Sequence, residues 1–388
     1  MLCLPIRPPC GPICNRRCPC SDRFCDNRSL TSDLHRKPGS APRILVVRTG
    51  AMGDILHGMP AITALRQAFP QAEIGWVVEP HWAPLLETSV TAKPRSAERP
   101  LVDQVHFAET RAWSKHPASL TTLQSILQLR RELRARRYEI AIDLQGSIRS
   151  AIIAKLSGAK QIVGPAEPRE KQASWMYGTK VATRAEHVIE QGSEIASALV
   201  DVPMLPAEVS LPLDPDAERW AETQIVIQAK GRTVLLAPSA GWGAKQWPAE
   251  RYGELALRLG RNGYSVLVNA VHEQDPLAAI VVRASEGTAK PVIASIAQLI
   301  ALTRRMRLVV AGDTGPLHLA AALHVPVVAI FGPTDPARNG PYGTRSRVLR
   351  DAISVRDHRR HAAPEAGLLR ISVDQVETAA LELLENNA

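Results

Sequence analysis

The sequence predicts an α/β protein built from two doubly wound halves, and three observations carry that prediction. Short runs rich in Val and Ile recur along the 388 residues and alternate with segments of helical periodicity. Several runs, such as TVLLAP and VPVVAIFG, are apolar on both faces, as parallel strands covered by helices on each side must be. The proline-rich stretch DVPMLPAEVSLPLDPDAE divides the series in two: Pro203, Pro206, Pro212 and Pro215 oppose a helix there and read as a linker. A boundary near residue 207 gives a first half of 43–207 and a second of 208–388.

In chain order, the first half offers the strands RILVV, EIGWVV, QVHFA, YEIAIDL and QIVG. After the first of these, ILHGMPAITALRQAF sets Ile55, Met59, Ile62 and Leu65 along one side of a helix despite Pro60. A later helix carries Leu123, Ile126, Leu127 and Leu133, which are expected to face the core. It ends in the basic run RRELRARR, Arg130 to Arg137, which reads either as a solvated helix end favoured by the dipole or as a membrane-surface patch. The second half offers TVLLAP, YSVLVNAV, RLVVAGD and VPVVAIFG. It closes with VDQVETAALELLENN, where Val376, Ala379, Leu381 and Leu384 fall at helical spacing. Each half opens with a strand and a small-residue turn, as nucleotide-type domains do.

Composition bounds the function. With 45% hydrophobic and 22% charged residues the chain is ordinary soluble protein, and every apolar run is broken well short of the roughly 18 residues a membrane span needs. A cytoplasmic protein is expected. All six cysteines, Cys3, Cys10, Cys14, Cys18, Cys20 and Cys25, lie in the first 25 residues, in a spacing that matches no standard zinc pattern. Residues 1–42 are expected to be a disordered leader or a misassigned start. That segment holds seven basic and three acidic side chains, which leaves +5 of the formal +9 for the rest. The surplus suits an anionic partner such as a membrane surface or acidic substrate. It is too dispersed, and the 4% of aromatics too few, for nucleic-acid binding.

The first strand runs into Arg48, Thr49, Gly50, Ala51, Met52, Gly53 and Asp54. This is not the G-x-G-x-x-G dinucleotide fingerprint, and Glu79 is the only acidic residue placed to serve as its ribose partner. A carboxylate at a helix start repels the pyrophosphate that such turns usually seat. Asp54 therefore reads either as an N-cap or as a general base facing a neutral hydroxyl.

The second half supplies sites for anions. In PSAGWGAKQWP, Gly241 and Gly243 open a loop whose backbone N–H groups can approach a phosphate, and Lys245 adds a charge at its mouth; the bland alternative is a plain turn with a surface lysine and packing tryptophans, Trp242 and Trp247. In AGDTGPLHLAAAL, Thr314 and the following N–H groups stand at a helix start suited to a diphosphate. The bland alternative has Asp313 capping the helix and His318 at the surface or in the core.

Together these residues resemble the lipopolysaccharide heptosyltransferases, glycosyltransferase family 9. The resemblance runs from about Arg43 to the C-terminus through MGDILH with MPAI, WVVEP, DLQGSIRSA, PSAGWGAKQWP, DTGPLHLAAAL and FGPTDP, and it looks most like the type I enzymes. It implies a GT-B fold of two facing Rossmann-like domains, acceptor on the first and nucleotide sugar on the second. It implies transfer of L-glycero-D-manno-heptose from ADP-heptose to the Kdo sugar of Kdo-lipid A, with inversion, at the cytoplasmic face of the inner membrane and with no metal or cofactor required. In this resemblance Asp54 matches the aspartate base. Lys245, Asp313, Thr314, Gly315 and His318 match donor contacts, and Ser239 and Ala240 stand where some members carry two hydroxyls. Glu273 corresponds loosely to a ribose-binding glutamate. Arg149, Arg169 and Lys171, near the segment PREKQASWMYG, are the expected acceptor contacts. The competing readings are a type II or other family 9 transferase, a nicotinamide-dependent oxidoreductase, and a nucleotide-sugar binding protein without turnover.

Overall fold

The structure is a computed structural model that describes residues 41–200, 203–225, 232–357, 359 and 361–385. The leader and its cysteines lie outside the described residues except at 41 and 42. The first half contains strands β1 Arg43–Val47, β2 Glu73–Val78, β3 Gln104–Phe107, β4 Ile140–Asp143, β5 Gln161–Pro165 and β6 Thr179–Val181. Its helices are α1 Met52–Ala68, α2 Thr110–Lys115, α3 Leu120–Ala135, α4 Ile148–Leu156 and α5 Val188–Ser197, with 3₁₀ turns at Pro80–Leu85 and Lys171–Met176. The second half begins with α6 Pro215–Thr223 and continues through β7 Thr233–Ala237, a 3₁₀ turn at Gly243–Lys245, α7 Ala249–Arg261, β8 Ser265–Ala270, α8 Pro276–Ala284, β9 Ala289–Ile293 and α9 Ile296–Thr303. It ends with β10 Leu308–Gly312, α10 Gly315–Ala322, β11 Val327–Phe331, α11 Pro336–Asn339, β12 Ser346–Arg350, α12 Ala366–Arg370 and α13 Val373–Glu385.

The strands form two six-stranded sheets, β3-β2-β1-β4-β5-β6 and β12-β11-β10-β7-β8-β9. Every pairing between them is parallel. Counted from its own first strand, each sheet has the order 3-2-1-4-5-6 of a Rossmann fold, whose ligand crevice lies at the carboxyl ends of the strands where that order reverses. The central strands are buried on both faces: Ile44, Leu45, Val46 and Val47 are fully covered, as is Val310, which pairs with Leu236 on one side and Val328 on the other. Each such side chain removed from water contributes about 1.5–3 kcal/mol before entropy is counted.

Two expectations need correction. Residues 203–214 are irregular, as the prolines require, but Pro215 opens α6. Proline is tolerated at the first helical position because its missing N–H has no partner there, and Asp214 caps the helix by accepting from the N–H groups of Asp216 and Ala217. The second correction concerns α3. Leu129 and Leu133 are buried, whereas Ile126 is only half-buried and Leu123 and Leu127 are exposed. The helix lies on the sheet by one narrow stripe and leaves its other apolar residues in solvent. The closing helix forms as expected, burying Val376, Ala379 and Leu384, with Leu383 buried in place of Leu381.

Candidate active site

The turn after β1 meets the turn after β10. α1 packs against α10 so closely that the glycines in their first turns have no room for a side chain. A Cβ on Gly53 would stand 2.6 Å from the His318 ring, and one on Gly315 would stand 2.7 Å from Met52 Sδ. The MGD and DTG motifs are thus each other's contact surface, and Asp54 follows directly on the residues that touch the second half.

Asp54 is the third residue of α1, not its N-cap, because the helix begins at Met52. Its Oδ2 accepts from the Ala51 N–H at 3.3 Å, and its Oδ1 pairs with Arg48 Nη2 at 3.0 Å. The carboxylate side chain keeps 43% of its surface open. Arg48 is buried and also donates through Nη1 to the Leu144 carbonyl. Thr49 donates from both its N–H and Oγ1 to Gln145 Oε1, each at 2.8 Å. The loop after β4 therefore braces the loop after β1. Asp143 shapes that loop: fully buried, it accepts from Gln145 N–H, Gly146 N–H, Ser150 Oγ and Tyr177 Oη. Burial pushes its carboxyl pKa up, against the pull of those four hydrogen bonds.

On the other side, Lys245 Nζ bonds Asp313 Oδ2 at 2.5 Å and the Asp313 carbonyl at 3.3 Å, and lies over the Trp242 ring at 4.4 Å from its centre. Asp313 is not the cap of α10; that position is Thr314, whose hydroxyl donates to the Gly312 carbonyl at 3.2 Å. The Asp313 carboxylate instead holds Lys245 and His318. Burial raises its pKa, but the hydrogen bond from His318 and the Lys245 ammonium outweigh burial and hold it well below the usual carboxylate range.

His318 is buried and connects the halves. Its Nε2 lies 3.0 Å from Asp313 Oδ1 and its Nδ1 lies 3.1 Å from Nε2 of His57 on α1. With Nε2–H donating to the carboxylate, Nδ1 accepts from His57 Nε2–H. A hydrogen-bonded line thus runs from α1, one turn past Asp54, through His57, His318 and Asp313 to Lys245. Burial, then the neighbouring His318, Arg48 and His187, hold the His57 pKa well below the ordinary imidazole value. A cavity of about 180 Å³ lies beside this pair, lined in part by Leu56, Pro60, Ile189, Ala321 and Tyr342.

The remaining expected residues fall in three groups. Ser239 and Ala240 follow β7, half-buried, with Ser239 Oγ 3.5 Å from Asp275 Oδ2. In the adjoining loop a Cβ on Gly243 would collide with the Ala362 carbonyl, while Gly241 borders open space. Glu273 is exposed in the loop after β8; the buried acid there is Asp275, which accepts from the N–H groups of Val271, Leu277 and Ala278. Arg149, Arg169 and Lys171 are exposed on the first half, Arg149 bonded to Ser114 Oγ at 2.6 Å and the Thr110 carbonyl at 3.3 Å. Glu79 accepts from Thr110 Oγ1 and the Arg111 N–H, which assigns it to packing of α2. Sequence reasoning missed Arg48, His57 and Asp143. Their one visible signal was a charged or polar residue inside an otherwise apolar run.

A family model described as glycosyltransferase family 9 (heptosyltransferase) matches residues 126–367. Among curated relatives, lipopolysaccharide heptosyltransferase 1 of Pseudomonas aeruginosa is 29% identical over 311 residues, covering 79% of this chain and 82% of its own. Its counterpart from Escherichia coli K12 is 29% identical over 318 residues, covering 79% and 93%. Among solved structures, the E. coli heptosyltransferase WaaC with ADP superposes with a TM-score of 0.70 at 25% identity, covering 88% of this chain and 99% of that one. E. coli ADP-heptose lps heptosyltransferase II superposes with a TM-score of 0.71 at 21% identity, covering 89% and 99%, a likeness of fold. The two facing sheets are the GT-B arrangement.

Proposed function

Because the chain belongs to glycosyltransferase family 9, the heptosyltransferases, we propose that it transfers L-glycero-D-manno-heptose from ADP-heptose to the Kdo sugar of Kdo-lipid A, with inversion at the anomeric carbon. The observation that supports this reading is the contact of the MGD turn with the DTG turn: the first carries the accessible Asp54 carboxylate, and the second carries Asp313, which pairs with Lys245. Heptose transfer is supported by the type I relatives and by the structural likeness to WaaC, which has been solved with ADP and with ADP-2-deoxy-2-fluoro heptose.

In this mechanism Asp54 takes the proton of the acceptor hydroxyl as its oxygen attacks the anomeric carbon and the bond to ADP breaks. A positioned general base contributes about 10²–10⁴-fold. Arg48 and the Ala51 N–H hold the carboxylate still while its open side meets the acceptor. Charge develops on the departing diphosphate, where the start of α10 and Lys245 stabilise it. An ammonium has three donors; Asp313 takes two from Lys245, which leaves one for phosphate. Both ring nitrogens of His318 are engaged by protein, so it acts by positioning Asp313 and Lys245. Ser239, Thr314 and the N–H of Gly241 complete the donor side, and Ala240 leaves one hydroxyl contact to that N–H. Arg149, Arg169 and Lys171 meet the carboxylate and phosphates of the acceptor. A lipid-anchored acceptor places the protein at the cytoplasmic face of the inner membrane. Among the described residues no helix is long and apolar enough to cross it.

The test is incubation of the full chain with ADP-heptose and Kdo-lipid A. The expected product is heavier by one heptose and appears with one equivalent of ADP. Turnover with a different nucleotide sugar, and none with ADP-heptose, would overturn the donor assignment.

A further inference from the structure

We propose that the outer face of α3 and α4 is the surface by which this protein docks on an anionic lipid bilayer. The proposal rests on the lipid-anchored acceptor of the preceding reading and names the side of the molecule that reaches it.

On α3, Leu120, Leu123 and Leu127 are spaced i, i+3, i+7 and so share one side of the helix, where they are 76%, 53% and 37% exposed. Arg131 and Arg134 continue the same side in the following turns, opposite the buried Leu129 and Leu133. Arg134 Nε donates to the Leu156 carbonyl at the end of α4, which brings the two helices side by side. On α4, Ile148, Ile152 and Lys155 again share one exposed side, and the helix contains two basic residues and no acidic one. The 3₁₀ turn packed on α4 presents Trp175, 80% exposed, beside the exposed Lys171.

Single exposed apolar residues need no explanation, but six on three adjoining elements make a patch of the kind that marks an interaction surface. The chemistry selects the occupant. Leucine and isoleucine flanked by arginine and lysine, with a tryptophan at the margin, suit the boundary between headgroups and acyl chains of an anionic membrane. A second copy of the chain fits worse, because a two-fold contact through this face would oppose arginine to arginine. The position agrees: α4 begins directly after the loop whose Leu144 and Gln145 hold Arg48 and Thr49 behind Asp54.

The experiment is co-sedimentation of the full chain, without donor or acceptor, with vesicles of phosphatidylglycerol and phosphatidylethanolamine and with vesicles of phosphatidylcholine alone. Wild type should bind the anionic vesicles in a salt-sensitive manner and leave the zwitterionic ones. Leu123→Gln with Leu127→Gln, and separately Arg131→Glu with Lys155→Glu, should each lower partitioning about tenfold or more. Both double variants should keep wild-type melting temperature and wild-type turnover of a water-soluble, delipidated acceptor. Because vesicle binding is read without turnover, it stands or falls independently of the heptose assignment. Failure of wild type to bind anionic vesicles would overturn the proposal, as would variants that bind undiminished. Concentration-dependent dimerisation in sedimentation velocity that the leucine pair abolishes would also overturn it and assign the face to a second copy.

Discussion

Replacing His57 with leucine tests whether the two halves are coupled through their histidines. The imidazole is buried and its Nε2 lies 3.1 Å from His318 Nδ1, so leucine occupies comparable space while leaving that nitrogen without its partner. A buried polar group stripped of its hydrogen bond costs about 1–3 kcal/mol. If that cost falls on the arrangement His318 holds, Asp313 and Lys245 included, the dissociation constant for ADP-heptose rises roughly 5- to 150-fold, at about 1.4 kcal/mol per decade. The assay is calorimetric titration with ADP-heptose beside thermal unfolding. His57→Gln, whose amide can reach the same nitrogen, should recover most of the loss. A lowered melting temperature with unchanged donor affinity in His57→Leu would refute the coupling and reduce His57 to packing.

Acidification should act on the same bond. The His57 pKa is depressed in the folded protein, first by burial, so the unfolded chain takes up a proton near pH 6.5 that the folded chain refuses. This group's contribution is therefore full above about pH 6.5 and is lost as pH falls towards the folded value. The stability gap between wild type and His57→Leu should narrow from pH 7 to pH 5 in denaturant titrations, and a constant gap would contradict the assignment. Asp313→Asn removes the charge that both Lys245 and His318 rest on; with Lys245 12% exposed, the loss should be about 3 kcal/mol, the lower end for a broken buried pair, read by the same titrations. Gly53→Ala drives a methyl into the His318 ring, and about 1–3 kcal/mol of destabilisation together with weakened donor binding is expected by calorimetry.

Apart from the half-buried edge strand β3, the strands that were legible in the sequence have cores buried on both faces. Three of the four sheet edges, β6, β9 and β12, were not, for physical reasons. An edge strand has neighbours on one side only, so SRVLR can carry charge and AKPVI can carry Pro291 without breaking a ladder on both flanks. The exposed stripe of α3 was misread because helical spacing reports that leucines share a side, not what that side meets. Asp54, Lys245 and Asp313 stood out because turns after strands concentrate unusual residue types. His57 did not, because its role arises only when the halves dock, and no local pattern encodes that contact. Asp275 was legible but not singled out: aspartate directly before a proline at a helix start is an N-cap signature, and the structure uses it so.

In the proposed mechanism, acceptor activation and donor binding belong to separate halves and meet at the MGD and DTG turns. Transfer from ADP-heptose to Kdo-lipid A by Asp54→Ala, measured beside its ADP-heptose dissociation constant, tests it most directly. Turnover is expected to fall by about 10²–10⁴-fold or to become undetectable, with donor affinity unchanged. Wild-type turnover in the variant, or loss of donor binding along with turnover, would contradict it.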